Sequence, residues 1–333
     1  MMRQLILPVV LLGSLIIAPP LARQVAAQGV TRLDASLDAI VPPGSAVEKV
    51  HGDFRFTEGP VWIRNGGFLL FSDLMANAIM KWSPAGVSVY RQPVFLGAFP
   101  DGILVGTNGL TVDRQGRLVA AEHGNRRISR TETNGTITVL ADRYEGKRLN
   151  SPNDLVVKRN GDIYFTDPPA LYRTYPDVPN RPQRELDFAG VYRVKGPGVL
   201  ELLTKEVPYP NGLTFSPDER KLYIANSRDQ KFWMVFDVKA DGTLANGRKF
   251  VDLSGDTSEP VPDGMKVDRN GNIFATGPGG IRIFSPQGKH LGTIQLPEIA
   301  ANVAWGDADG QTLYITARTG LYRIHLNTTG PRP

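Results

Sequence analysis

The chain repeats itself. Six segments align without gaps: Glu58–Gly66 (EGPVWIRNG), Asn108–Gly116 (NGLTVDRQG), Asn153–Gly161 (NDLVVKRNG), Asn211–Glu219 (NGLTFSPDE), Asp263–Gly271 (DGMKVDRNG) and Asn302–Gly310 (NVAWGDADG). Each opens on a carboxylate or an amide, runs through a short apolar stretch and ends in a polar turn, with Gly eight residues after the opener in five of the six. A second apolar stretch follows every turn: Leu69–Phe71, Leu118–Ala121, Ile163–Phe165, Leu222–Ile224, Ile273–Ala275 and Leu313–Ile315. Asn and Gly accept the positive φ of a tight reversal, and the flanking Val, Ile, Leu, Tyr and Phe suit half-buried strands. Each unit therefore predicts a β-hairpin. The openers stand 50, 45, 58, 52 and 39 residues apart, and a four-stranded blade takes roughly 40–50 residues. An all-β, six-bladed β-propeller closes six such sheets without long open edges. A two-sheet sandwich is the alternative, and it leaves six hairpins in one register unexplained. Val47–Phe54 reads as a strand that joins the sheet containing Leu321–Leu326, so that the last blade is built from both chain ends.

The start of the chain reads as an address. Arg3 precedes an apolar run from Leu5 to Ala18, and Val25-Ala26-Ala27 follows. A charged start, a short apolar stretch and small residues before a cut make a secretory signal. The run is short of the roughly 20 apolar residues a membrane-spanning helix needs. The expected organisation is a signal peptide at 1–27, an N-terminal extension at 28–46, the propeller at 47–327 and a C-terminal tail at 328–333. The mature protein is expected to be exported, periplasmic or secreted, with no membrane attachment after cleavage.

Composition excludes whole classes of function. There is no Cys in the 333 residues, which removes thiol catalysis, Cys-ligated zinc, iron–sulfur clusters and disulfides. Four His, at 51, 123, 290 and 325, are too few for a His-rich zinc site. The 38 Lys+Arg against 33 Asp+Glu give +5, and removing residues 1–27 with Arg3 and Arg23 leaves 36 against 33. That surplus is too small to mark a nucleic-acid partner. The oligomeric state is left open.

In a propeller, equivalent positions of successive repeats sit at equivalent distances from the axis. If one opener lines the central channel, all six do: Glu58, Asn108, Asn153, Asn211, Asp263 and Asn302. Two carboxylates and four amides with no Lys or Arg among them are costly to bury, and a hard cation resolves the conflict. Oxygen donors without imidazole or thiolate suit Ca²⁺ or Mg²⁺, and a wide irregular ring favours calcium. The competing reading is that the openers are turn residues, since four of the six precede Gly.

Glu58-Gly-Pro with Phe71-Ser-Asp, Glu122-His-Gly-Asn-Arg-Arg, Asn150-Ser-Pro-Asn-Asp, Phe165-Thr-Asp-Pro-Pro, Pro210-Asn-Gly-Leu and Pro262-Asp-Gly-Met occur in that order. Together, over about residues 50 to 327, they resemble the SMP-30/gluconolactonase/LRE-like family of six-bladed propellers, especially its bacterial gluconolactonases. The resemblance implies a lactone-hydrolysing enzyme carrying a divalent ion, usually Ca²⁺, with Mg²⁺, Mn²⁺ or Zn²⁺ as alternatives. It implies Glu58, Asn153, Asn211 and Asp263 as metal ligands, and it leaves Asn108 and Asn302 behind them or holding water. Two departures bear on the substrate. Animal relatives have Arg where Ser151 stands here, and Ala170 and Leu171 follow Asp-Pro-Pro where many bacterial relatives have Tyr-Gly.

The expected reaction is attack of water on a small-molecule lactone whose carbonyl the ion polarises. Asp263 is the expected catalytic base, held ionised by the ion beside it. Asn153, Asn108, His123, Tyr172 and Arg173 are the expected substrate contacts. Tyr172 and Arg173 come from a Pro-rich insertion, Pro168 to Phe188, which reads either as a lid or as a surface excursion. Cleavage of phosphotriesters or aryl esters on the same scaffold is one rival, and a non-catalytic exported binding propeller is another.

Overall fold

The computed structural model describes residues 29–173 and 183–331, without the side chains of Tyr172 and Arg173. Residues 1–28, where the signal peptide is expected, the middle of the Pro-rich insertion and the last two residues lie outside the described residues.

Each predicted hairpin forms, and each is extended by two more strands. The six antiparallel sheets begin with the inner strands Thr57–Ile63, Thr107–Val112, Leu155–Val157, Pro210–Phe215, Met265–Val267 and Ala300–Gly306. Every inner strand touches the next, and the sixth touches the first, so the ring closes. The turns behave as their residues require. Gly116, Gly161, Gly271 and Gly310 take φ of +75°, +95°, +85° and +71°, and Glu219, the one opener-plus-eight residue that is not Gly, still takes +58°. In these five repeats the backbone needs the left-handed conformation whatever side chain is present, and in the first the left-handed residue comes one position later, at Gly67 with φ of +62°.

Burial on both faces holds the ring together. In Phe68–Asp73, Leu69 and Phe71 pack with Tyr314 and Leu321 of the sixth blade, while Leu70 packs with Leu110 and Leu118 of the second. Alternate residues of Lys221–Asn226 likewise divide: Leu222 and Ile224 meet Tyr164 and Val191 of the third blade, and Tyr223 and Ala225 meet Met265 and Ile273 of the fifth. Both parities are apolar because both faces are covered. This is why the second strands read as unbroken apolar runs rather than as alternating ones.

The closure strand forms. Glu48–His51 pairs antiparallel with Gly320–His325, with Glu48 opposite Arg323 and His51 opposite Leu321. Two segments placed outside the propeller by sequence belong to it. Gly29–Arg32 adds a fifth strand to the fifth sheet, against His290–Gln295. Leu37, Ile40 and Val41 then seal the core between the fifth and sixth blades. At the other end, Thr328 is buried and its hydroxyl donates to Asp268 at 2.9 Å.

Candidate active site

The openers are not turn residues. Glu58, Asn108 and Asn211 are each the second residue of an inner strand, Asn302 is the third, and Asn153 and Asp263 stand two residues ahead of theirs. They share one end of the channel. The Gly that follows four of them has a packing reason. A Cβ on Gly59, whose φ is +49°, would sit 2.0 Å from the Asn108 carbonyl oxygen, and one on Gly212 would sit 2.4 Å from that of Asp263. Neighbouring inner strands pass too closely for a side chain at that position. Hydrogen bonds then lock blade to blade at the opener: Ser72 Oγ donates to the Asn108 carbonyl at 2.7 Å, and Thr166 Oγ1 to that of Asn211 at 2.8 Å.

The close approach gathers negative charge. Glu58 is 3% exposed, and its carboxyl accepts the Gly59 N–H at 2.7 Å. Burial pushes it up to about 7, and the nearby Asp154 carboxylate adds to the rise. Asp263 lies deep in the molecule but keeps partial access to solvent. Burial, then Glu58, then Asp154 raise it well above the carboxylate range, against a hydrogen bond from the Asn211 amide. Burial is the largest cause of that rise in the protein alone; the expected lowering of Asp263 belongs to the ion-bound state. The Asn108 carboxamide oxygen is buried without a hydrogen-bond partner.

Two residues of this cluster were missed by sequence. Asp154 is 2% exposed and accepts from the Asn302 amide at 3.3 Å, from the third blade to the sixth across the channel. Asn302 turns its own carboxamide oxygen back to the Val303 N–H at 2.9 Å, so it bridges carboxylates rather than offering an oxygen. Lys266 brings its ammonium to 3.9 Å from Asp154. No opener is a cation, but Lys266 supplies one from the inner strand that follows Asp263. Fully ionised, three carboxylates against one ammonium would carry a formal charge of −2. The signal for Asp154 was its place, directly after an opener where four other repeats have Gly.

The residues fit a hard dication. Glu58, Asp263, Asn153 and Asn211 supply oxygen donors, the carboxylates outnumber the ammonium beside them, and the Asn108 oxygen is unspent. Among the described residues no three His, Cys, Asp or Glu side chains alone form a metal-holding cluster, so the amide oxygens belong to any such site.

His123 is 2% exposed, and its ring lies against the Pro152 carbonyl without a full hydrogen bond. Burial pushes the imidazole down to about 4. The neutral imidazole is therefore the favoured form near pH 7. Ser151 is fully buried, donates to the Pro168 carbonyl at 2.5 Å and accepts from Ala170 N–H at 2.9 Å. It anchors the base of the insertion. Tyr172 and Arg173 fall in the short helix Ala170–Arg173.

Residues 56–319 match the SMP-30/Gluconolactonase/LRE-like region. The chain belongs to that family. A gluconolactonase from Zymomonas mobilis is 38% identical over 322 residues, covering 90% of this chain and 87% of that one. A solved gluconolactonase from Xanthomonas campestris superposes with a TM-score of 0.80 at 33% identity, over 90% of this chain and 95% of that one. Regucalcin from Agrobacterium tumefaciens, described as calcium-binding, shares the fold at a TM-score of 0.67 and 17% identity, over 87% of this chain and 98% of that one.

Proposed function

We propose that this family member is an exported, calcium-dependent lactonase of the gluconolactonase type, opening a sugar lactone by attack of water. The observation that carries the reading is the convergence of Glu58, Asp154 and Asp263 in a buried channel with Lys266 as the nearest counter-charge. A binding scaffold has no use for that repulsion. Glu58, Asn153, Asn211 and Asp263 would hold the ion. When bound, a divalent ion supplies Lewis-acid polarisation of the ester carbonyl.

The chain's own residues do the rest. Asp263, partly accessible to solvent, orients the attacking water and takes its proton. Asn211 fixes the Asp263 carboxylate by hydrogen bonding to it. Asn302 and Lys266 hold Asp154 in place, which keeps the far wall of the channel ordered. The free oxygen of Asn108 is available to a ring hydroxyl. The charged and apolar start of the chain serves export.

The test is a metal-stripped protein assayed on five- and six-membered lactones and on a phosphotriester, with Ca²⁺, Mg²⁺, Mn²⁺ and Zn²⁺ added back singly. Calcium-restored lactone turnover is expected. Faster turnover of the phosphotriester, or no turnover with any ion, would refute the reading.

A further inference from the structure

A second cation stands at the channel mouth. Arg318 opens the turn between Thr312–Ala317 and Gly320–His325 in the sixth blade. The turn is fixed from two sides: the Arg318 carbonyl accepts from the Thr57 N–H at 2.7 Å, and Thr319 donates through N–H and hydroxyl to Glu298, each at 2.8 Å. The Arg318 side chain is exposed and its guanidinium lies over the Phe56 ring, 5.4 Å from the centroid. Phe56 stands two residues before Glu58, next to the start of the first inner strand. The positive field of the guanidinium reaches Asp263. The Arg318 backbone has φ of +42°, a conformation that Gly or Asn enters with less strain. The turn alone does not call for an arginine.

In the third blade, Ser151 spends its hydroxyl on Pro168 and Ala170. A guanidinium presents five donors in a rigid fork, suited to paired oxygens on a ring. We propose that Arg318 is a specificity residue, holding the ring hydroxyls of a polyhydroxylated lactone from the sixth blade while the ester group lies over Asp263. This rests on the lactonase reading.

Arg318→Asn keeps a residue that tolerates positive φ, and Arg318→Lys keeps the charge but loses the fork. Both are compared with the wild type on glucono-δ-lactone and on δ-valerolactone, the same ring without hydroxyls, with melting temperature as the fold control. In Arg318→Asn, kcat/KM for the hydroxylated lactone is expected to fall about ten- to hundredfold, mainly through KM, the loss of a charged hydrogen-bond donor. The ratio of kcat/KM between the two lactones is expected to fall at least about tenfold, and Arg318→Lys to recover part of it. Equal losses on both lactones would reduce Arg318 to a field on Asp263 and overturn the assignment, as would no loss. A wild type that opens neither lactone would overturn the lactonase reading and this assignment together.

Discussion

Replacing a metal ligand usually weakens a protein, but Glu58→Gln is expected to strengthen this one when no metal is present. The Glu58 carboxyl is pushed from 4.5 to about 7 by burial and by Asp154. Its folded-state value lies above its unfolded value, so its contribution is favourable at low pH and is lost as pH rises through 7. The gap of about 2.5 units corresponds to roughly 3 kcal/mol between pH 4 and pH 8. For a chain of this size that is about 5 °C in Tm. Gln keeps the oxygen that accepts the Gly59 N–H at 2.7 Å and cannot ionise. In chelator at pH 8, Glu58→Gln should melt about 5 °C above the wild type, and the two should converge near pH 4. Asp167, raised to about 7 by burial, keeps its own slope in both proteins, so the difference between them reports Glu58 together with its effect on Asp263, whose carboxyl it helps to raise. With calcium at about 1,000 times its Kd the order should reverse, since that stabilises the wild type by about 4.1 kcal/mol, more than the roughly 3 kcal/mol the substitution gains, and Gln lacks the charge that holds the ion. Differential scanning at several pH values, with chelator and with calcium, measures all of this. A Gln variant less stable than wild type in chelator at pH 8 would refute the reasoning.

Asp263→Asn should lower kcat by a factor of about a hundred or more while leaving the circular dichroism spectrum intact; wild-type kcat in that variant would remove Asp263 from the chemistry. Gly59→Ala places a Cβ 2.0 Å from the Asn108 oxygen at a φ of +49°, and urea unfolding should show a loss of about 2 kcal/mol or more. His123, neutral above about pH 4, should leave the pH–rate profile between 5 and 8 unmoved when changed to Asn, and the disappearance of a limb near pH 6 would contradict its burial.

The hairpins, the blade count and the closing strand were legible because they are encoded locally. Each turn announces itself through a residue that accepts positive φ, and each second strand through apolar residues on both parities. Gly29–Arg32 was not legible: a four-residue edge strand is fixed by pairing with His290–Gln295, far away in sequence. The openers were found by register, but what each side chain does was not. Asn302 and Asn153 open their repeats alike, yet Asn302 spends its oxygen on Val303. Lys266 is one residue among the polar and apolar members of its repeat, and only the crossing of the channel brings it to Asp154. Periodicity gives radius; it does not give partner.

Fold and charge are imposed by the same residues. A closed ring of six inner strands forces neighbouring openers together, and Gly59 and Gly212 permit it by carrying no side chain. The third repeat inverts the arrangement. Asp154 takes the position held elsewhere by Gly, and there is room for it because the neighbour that faces it is Gly109, where a Cβ would lie 2.5 Å from the Asp154 oxygen. The missing side chain on one blade thus makes space for a carboxylate on the next. Adding Asp154 to Glu58 and Asp263 would leave three like charges in a poorly solvated channel, a costly state unless paired. Lys266 offsets one of the three, and the remaining −2 is what a single divalent ion neutralises. On this reasoning Lys266→Met should tighten calcium binding, because it returns the channel to −3, and should destabilise the metal-free protein. Calorimetric titration of that variant with calcium gives the affinity directly, and an affinity weaker than wild type would show that Lys266 positions the donors rather than balancing their charge.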